Sequence, residues 1–316
     1  MQNDLRIVFM GTPDFAVGIL KEMVEIGKNI VGVITAPDKP AGRGRKLMGS
    51  AVKDYAVSQN LKVLQPTNLK DEFFLKELEG LNANLQVVVA FRMLPKVVWQ
   101  MPALGTFNLH ASLLPQYRGA APINWAIINN EEKTGVTTFF IDEKIDTGSI
   151  IANKEVAIAQ NETAETLHDK LMETGSHLVL ETLELIEMGN ANPRMQPKSS
   201  DLKDAPKLTA ENTRIDWTKP GTAIAAFIRG LSPYPVAWSI LYNSNEELKI
   251  KIYTASFEKM DHKLEPGVIQ TSKKELKVAC PDGYIIIKDI QLPGKRKMEV
   301  SSLLNGYSFD EDSKLS

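Results

Sequence analysis

The sequence predicts an α/β fold, a mostly parallel sheet flanked by helices, followed by a small β-barrel domain. Short apolar runs alternate with helix-period stretches through the first half, the pattern of parallel strands joined by crossover helices. Composition changes after residue 188, where Gly189–Lys207 carries three prolines and almost no apolar periodicity. Beyond it lie several short β-rich runs separated by turn residues, which read as a small barrel. Domain bounds of 1–188, a linker at 189–207 and 208–316 follow.

Taken in order, Leu5–Met10 is a short apolar run ending in Gly11-Thr12-Pro13-Asp14, read as a buried strand, a tight turn and a helix start. The helix carries Phe15, Ile19, Leu20, Met23 and Val24 at helical spacing. Ile30–Ile34, Val63-Leu64, Leu85–Ala90 and Thr106–His110 are the next four strands, and Val136–Ile141 and Ile150–Val156 follow. Thr163–Met188 is a long amphipathic helix with Leu167, Leu171, Leu178, Leu185 and Met188 among its apolar positions. In the second half a helical pattern at Thr222–Arg229 precedes strands at Ala237–Tyr242, Leu248–Phe257, Gly267–Thr271, Leu276–Ala279 and Tyr284–Lys288.

A chain of 316 residues with 43% hydrophobic and 24% charged residues is an ordinary globular protein. Its net charge of −2 excludes a globally basic nucleic-acid binder and leaves room for a local basic patch. A single cysteine, Cys280, excludes an internal disulfide framework and suits a reducing cytoplasm. No apolar run approaches the roughly 18 residues of a membrane span, and the first residues lack a signal-peptide pattern. The expectation is a cytoplasmic protein with no membrane partner, and a monomer.

The chemistry-bearing stretch is Asn108-Leu109-His110-Ala111-Ser112-Leu113-Leu114-Pro115. Residues two apart on a strand share a face, so Asn108 and His110 point the same way at a strand end. In sheets of this type ligands sit beyond the carboxyl ends of the strands. A lone histidine is more often a satisfied core residue, and that reading stands beside the catalytic one. Asp146, in Ile145-Asp146-Thr147-Gly148, has ordinary turn chemistry, and nothing in the spacing ties it to His110. His168, His177 and His262 read as structural or surface; without a His-Glu-x-x-His motif and with one cysteine, no metal site is expected.

Lys39-Pro40-Ala41-Gly42-Arg43-Gly44-Arg45-Lys46-Leu47 is the one dense basic cluster of the first domain. Leu47 stands where a dinucleotide fingerprint would need its third glycine, so a nicotinamide site is rejected. The segment is either a solvated surface loop or a loop that grips a polyanion, with Arg43 and Arg45 as forked phosphate donors. Lys288, Lys295, Arg296 and Lys297 form a second basic patch.

The run Asn108–Pro115, continued by Tyr117-Arg118-Gly119-Ala120-Ala121-Pro122-Ile123-Asn124-Trp125, resembles the signature of the 10-formyltetrahydrofolate-dependent formyltransferases. Further matches follow in order: Gly11–Phe15, Pro37–Leu47, Ile145–Gly148 and Arg214-Ile215-Asp216-Trp217. The resemblance implies a Rossmann-like catalytic domain and an OB-like carboxyl-terminal domain that binds tRNA. It implies catalytic roles for Asn108, His110 and Asp146, and folate contacts from Ser112, Leu113, Leu114 and Pro115. A pterin slot is implied between Arg92, Met93 and Leu94 on one side and the loop from Ile141 to Thr147 on the other. Arg92 stands where relatives often carry Gly, and Ala111 replaces another frequent Gly.

The implied reaction takes a formyl group from 10-formyltetrahydrofolate, without metal or covalent intermediate, for translation initiation. The implied acceptor is the α-amine of methionyl-initiator tRNA, held by Lys39, Arg43, Arg45 and Lys46. A smaller acceptor, such as an amino-sugar nucleotide or glycinamide ribonucleotide, is the alternative within the family, as is hydrolysis of the formyl-folate. From another class, a non-catalytic RNA-binding protein on the same scaffold is opposed by the intact Asn108, His110 and Asp146.

Overall fold

A computed structural model describes residues 4–41, 46–244 and 246–316. By internal contacts the chain divides into two units, 1–119 with 134–156 and 168–204, and 120–133 with 157–167 and 205–316. The first unit is built on seven principal strands: β1 (Ile7–Gly11), β2 (Ile30–Ile34), β3 (Val63–Leu64), β4 (Leu85–Val89), β5 (Thr106–His110), β6 (Lys133–Phe140) and β7 (Ile150–Ala157). They lie in the order β7-β6-β5-β4-β1-β2-β3. The pairs β1/β2, β1/β4, β2/β3 and β4/β5 are parallel, and β6 runs antiparallel to β5. Reversal at β6 leaves β5 as the last strand of the parallel block, with its carboxyl end at the rim.

Every residue of β1 and β4 is buried, as expected for parallel strands covered on both faces. Each large apolar side chain taken out of water there contributes about 1.5–3 kcal/mol. Val8, Met10, Ile34 and Val88 meet α3 (Glu72–Gly80) and α4 (Lys96–Trp99) through Phe74, Leu78 and Val98. The other face is covered by α1 (Asp14–Glu25) and α6 (Ala164–Glu187). α6 comes so close that a Cβ on Gly175 would sit 2.8 Å from Cδ2 of Leu109, and one on Gly18 would sit 2.5 Å from Sδ of Met172. Leu109 thus faces α6, and its strand neighbours Asn108 and His110 face away from it.

The strands and the long helix lie where the apolar periods predict them, and α2 (Ala51–Ser58), α3 and α5 (Pro122–Ile128) are further helices. The basic segment holds a small structure of its own. Lys39–Ala41 and Lys46–Met48 pair antiparallel, Lys39 opposite Met48 and Pro40 opposite Leu47. Its root is anchored: Asp38 Oδ1 accepts from Gln65 Nε2 at 2.7 Å, and Oδ2 meets Lys53 Nζ at 2.5 Å.

The second unit is a nearly closed antiparallel barrel of β8 (Ala237–Asn243), β9 (Glu246–Lys259), β10 (Ile269–Thr271), β11 (Leu276–Cys280), β12 (Gly283–Gln291) and β13 (Lys314–Leu315). The order is β10-β11-β12-β9-β8-β13. A bridge from Val268 to Lys314 brings the two ends together. Closure needs Gly267, whose φ of +91° and open Cβ position, 2.1 Å from the Leu315 carbonyl oxygen, exclude a side chain. On β8 alternate residues are buried, and α7 (Gly221–Leu231) packs Ile224, Ile228 and Leu231 into the same core. No helix among the described residues is long and apolar enough to cross a membrane.

Candidate active site

β5 delivers its polar pair to the rim in register, with Asn108 opposite Val88 of β4 and Phe139 of β6, and His110 opposite Thr137. His110 is only 6% exposed. Its Nε2 lies 2.8 Å from the carbonyl oxygen of Tyr117. A carbonyl can only accept, so Nε2 carries the proton and donates. In the neutral ring the bare nitrogen is then Nδ1, and it faces Oδ2 of Asp146 at 3.8 Å. The structure thus brings together the two residues that spacing alone left unconnected. At that separation they make a charge contact once the ring is protonated, and no direct hydrogen bond. Asn108 is half-buried, and among the described residues its carboxamide meets no hydrogen-bond partner.

Asp146 is held in an uncommon backbone conformation, φ +54°, and its carboxylate accepts from the Gly119 amide at 3.0 Å. The Gly148 that follows lies hard against the end of β6: a Cβ there would fall 1.7 Å from the Phe140 carbonyl oxygen. The Asp-Thr-Gly turn therefore has a steric reason for its glycine. Inside the turn, Asp142 Oδ1 accepts from Thr147 Oγ1 at 2.7 Å and from the Lys144 amide at 3.0 Å.

The remaining predicted positions fall into two groups. Ser112 is fully buried and donates to the Gln116 carbonyl at 2.6 Å, while its own carbonyl accepts from Thr137 Oγ1 at 2.7 Å. Leu114 is buried as well; Leu113 and Pro115 are half-exposed, and the Leu114–Pro115 peptide is cis. Arg92 and Met93 are exposed and Leu94 is buried. Arg92 donates to the carbonyls of Pro66 and Thr67, a role that a glycine would lack. Ile141 is half-buried at the end of β6, its amide bonded to the Thr106 carbonyl at 2.9 Å. Lys96 and Glu143 join the Arg92–Leu94 segment's neighbourhood to the 141–147 loop by an ion pair at 2.7 Å. This hydrogen bond from Lys96 holds the Glu143 carboxyl below its ordinary range.

Of the predicted basic-loop residues, Lys39 is exposed. Arg43 and Arg45 lie outside the described residues, and Lys46 opens the second strand of the ribbon. Among the described residues no cluster of three or more His, Cys, Asp or Glu side chains could hold a metal ion. The spacing arguments missed the stretch from Arg194 to Lys203. Arg194 bridges Ile150, the Lys203 carbonyl accepts from the Tyr117 amide at 2.6 Å, and Gln196 reaches Asp146 itself. These contacts join single side chains and amides with no periodic signature.

Comparison with known proteins identifies the family of the chain. The formyl transferase family model matches residues 5–183, and that of the formyl transferase C-terminal domain matches residues 207–308. A methionyl-tRNA formyltransferase of Flavobacterium johnsoniae is 61% identical over 311 residues, 98% of this chain and 99% of the relative. That of Bacteroides thetaiotaomicron is 52% identical over 319 residues, covering 99% of each. Among solved structures, HypX from Aquifex aeolicus in complex with tetrahydrofolic acid superposes with a TM-score of 0.65 at 19% identity. That match covers 98% of this chain and 49% of HypX, and it shows a shared fold alone. With both formyl transferase models matched in order and near full-length identity of this degree, the chain belongs to the methionyl-tRNA formyltransferase family.

Proposed function

We propose that this enzyme transfers the formyl group of 10-formyltetrahydrofolate to the free α-amine of methionyl-initiator tRNA, with Asn108, His110 and Asp146 as its catalytic residues. The observation that carries this reading is the meeting of His110 Nδ1 and Asp146 Oδ2 at 3.8 Å on the rim where Asn108 also stands. The folate supplies an activated formyl carbon on N10, which an amine attacks directly through a tetrahedral oxyanion.

Around that carbon the side chains have separable tasks. Asn108 donates its amide hydrogens to the developing oxyanion, a contact typically worth about 3 kcal/mol. His110, with Nε2–H committed to the Tyr117 carbonyl, receives the proton of the attacking amine at Nδ1. It becomes an Nδ1–H donor only after that transfer. Asp146 faces the resulting imidazolium and stabilises its charge. As the oxyanion collapses, the bond from the formyl carbon to N10 breaks and the Nδ1 proton passes to N10, releasing tetrahydrofolate and neutral His110.

The walls around the 92–94 and 141–147 segments suit a flat aromatic co-substrate. Met93 and Ile145 present apolar side chains that are 68% and 61% exposed, which a pterin or aryl ring would cover. Because Ser112 and Leu114 are buried, contacts to folate from that segment fall to its backbone, Leu113 and Pro115. Lys39, Arg43, Arg45 and Lys46 would bind acceptor-stem phosphates, assisted by Lys288, Lys295 and Arg296 on the second domain, read as 208–316. An anionic macromolecule gives these positions a task that a small acceptor would not.

The test is direct. The enzyme is incubated with formyl-tetrahydrofolate and, separately, methionyl-initiator tRNA, glycinamide ribonucleotide, an amino-sugar nucleotide, or no acceptor. Formylated methionyl-tRNA as the dominant product is expected; preferential formylation of a small amine, or release of formate without acceptor, overturns the assignment.

A further inference from the structure

We infer that Gln196 is a positioning residue for Asp146, acting as a latch that keeps the carboxylate aimed at His110; the inference rests on the catalytic reading of Asp146 above. Gln196 stands in the proline-containing stretch after the long helix, 50 residues from Asp146 in sequence. Its Nε2 donates to the carbonyl oxygens of Asp146 and Gly148, both at 2.9 Å. Its Oε1 accepts from Arg118 Nη2 at 2.6 Å and Nε at 3.2 Å. An arginine offers donors only and a carbonyl accepts only. A reversed amide would therefore oppose donor to donor and acceptor to acceptor twice over, so the network permits a single orientation.

The contact matters because of where it falls. Asp146 is a non-glycine residue at φ +54°, a strained conformation that persists only where the surroundings hold it. Gln196 holds the carbonyl on either side of Thr147. The next residue after Arg118 is Gly119, whose amide grips the Asp146 carboxylate at 3.0 Å. Backbone and side chain of Asp146 are thus fixed from one dipeptide, Arg118-Gly119, with Gln196 as the link to the backbone. Internal bonds of the turn, from Asp142 to Thr147 and Lys144, shape it without touching that carboxylate. Loss of the latch would let Asp146 leave the left-handed region, swinging its carboxylate away from His110, while the Arg92–Leu94 wall and the Asp142 bonds that shape the front of the 141–147 loop remain. A displacement of about 1 Å at a reacting centre can cost on the order of a hundredfold in rate.

The experiment compares Gln196→Ala, Gln196→Glu, Asp146→Ala and the double variant Gln196→Ala/Asp146→Ala, with formylation of methionyl-tRNA followed at high enzyme concentration. Amide exchange of Gly119 is measured alongside, and thermal melts verify folding. Both Gln196 variants are expected to lower kcat at least about tenfold with KM for either substrate within about threefold. Glu keeps the partner for Arg118 and loses both donors to the turn, so it should fare no better than Ala. In the Asp146→Ala background the Gln196→Ala step should cost less than about twofold, the mark of a residue acting through its partner. The Gly119 amide should exchange faster in Gln196→Ala. Wild-type kcat in Gln196→Glu, a loss confined to KM, or an equal loss in both backgrounds overturns the proposal. Should Asp146→Ala itself remain active, the catalytic reading falls. Gly119 exchange then decides separately whether Gln196 holds the turn: unchanged exchange rejects the latch.

Discussion

The strand end at Asn108–His110 and the basic ribbon at Lys39–Met48 both carry polar residues that the sequence marks out, and they are built in opposite ways. β5 is bonded along both edges, to β4 and to β6, and His110 is fixed by a carbonyl at one nitrogen and faced by a carboxylate at the other. The ribbon strands pair with each other in a sheet of two, present exposed Leu47 and Met48, and are anchored at Asp38. Chemistry at a formyl carbon requires donors held to within fractions of an ångström, which a strand inside a packed sheet supplies. Neutralising phosphates requires charge within reach and tolerates loose geometry. Catalysis should therefore respond to single atoms, and acceptor binding to total charge.

The largest effect should come from the rim. Asn108→Ala removes the proposed oxyanion donor and should lower kcat by about 10²–10³. His110→Ala should cost at least as much, and Asp146→Ala should follow, all three with near-normal thermal melts, as measured by steady-state formylation. A folded His110→Ala enzyme of near-normal activity would erase the contrast between the two regions. Next comes the turn behind it. Gly148→Ala drives a Cβ to within 1.7 Å of the Phe140 carbonyl oxygen, so the backbone must move. A loss of about 1–3 kcal/mol of stability should accompany a drop in kcat of about a hundredfold. Denaturant unfolding and kinetics on the same sample check both, and a variant that loses neither would show the turn to be slack.

What could be read from sequence follows the same division. Ile30–Ile34 and Thr106–His110 stand at the predicted bounds, because buried parallel strands are continuous apolar runs bounded by turn residues. The pairing of Asn108 with His110 was legible from period two alone. Asp146 came only through resemblance, since a contact across a turn leaves no local trace. Gln196 was invisible for the same reason: its four hydrogen bonds join one amide to three distant positions in a stretch with no apolar period. The 39–48 segment reads as a loop in sequence because Pro40 and the glycines mask the short strands Lys39–Ala41 and Lys46–Met48.

A smaller effect belongs to the basic segment. If Arg43 and Arg45 each neutralise a phosphate, Arg43→Ala/Arg45→Ala should weaken methionyl-tRNA binding and leave kcat at saturation within about twofold. The slope of log affinity against log salt should become shallower by about 2, roughly one per lost contact. Binding titrations from low to moderate salt measure it. An unchanged slope would make the segment ordinary surface and move the acceptor's footprint to Lys288, Lys295 and Arg296.

The smallest effect is at the ribbon's root. Asp38 is held below the ordinary carboxylate pKa of 3.8, first by the hydrogen bond from Gln65 and then by that from Lys53. A carboxyl with a depressed folded-state pKa contributes stability that is present above its unfolded value and lost as pH falls through the folded one. Wild type should therefore melt slightly above Asp38→Asn from neutral pH down to about pH 5. The gap should narrow once the pH drops toward 3.8 and below. Because the site is open to solvent, the gap should be small and should shrink with added salt. Parallel melts of the two proteins across that range provide the test. A gap that persists unchanged at pH 3 would mean that the shape of Asp38, rather than its charge, anchors the ribbon.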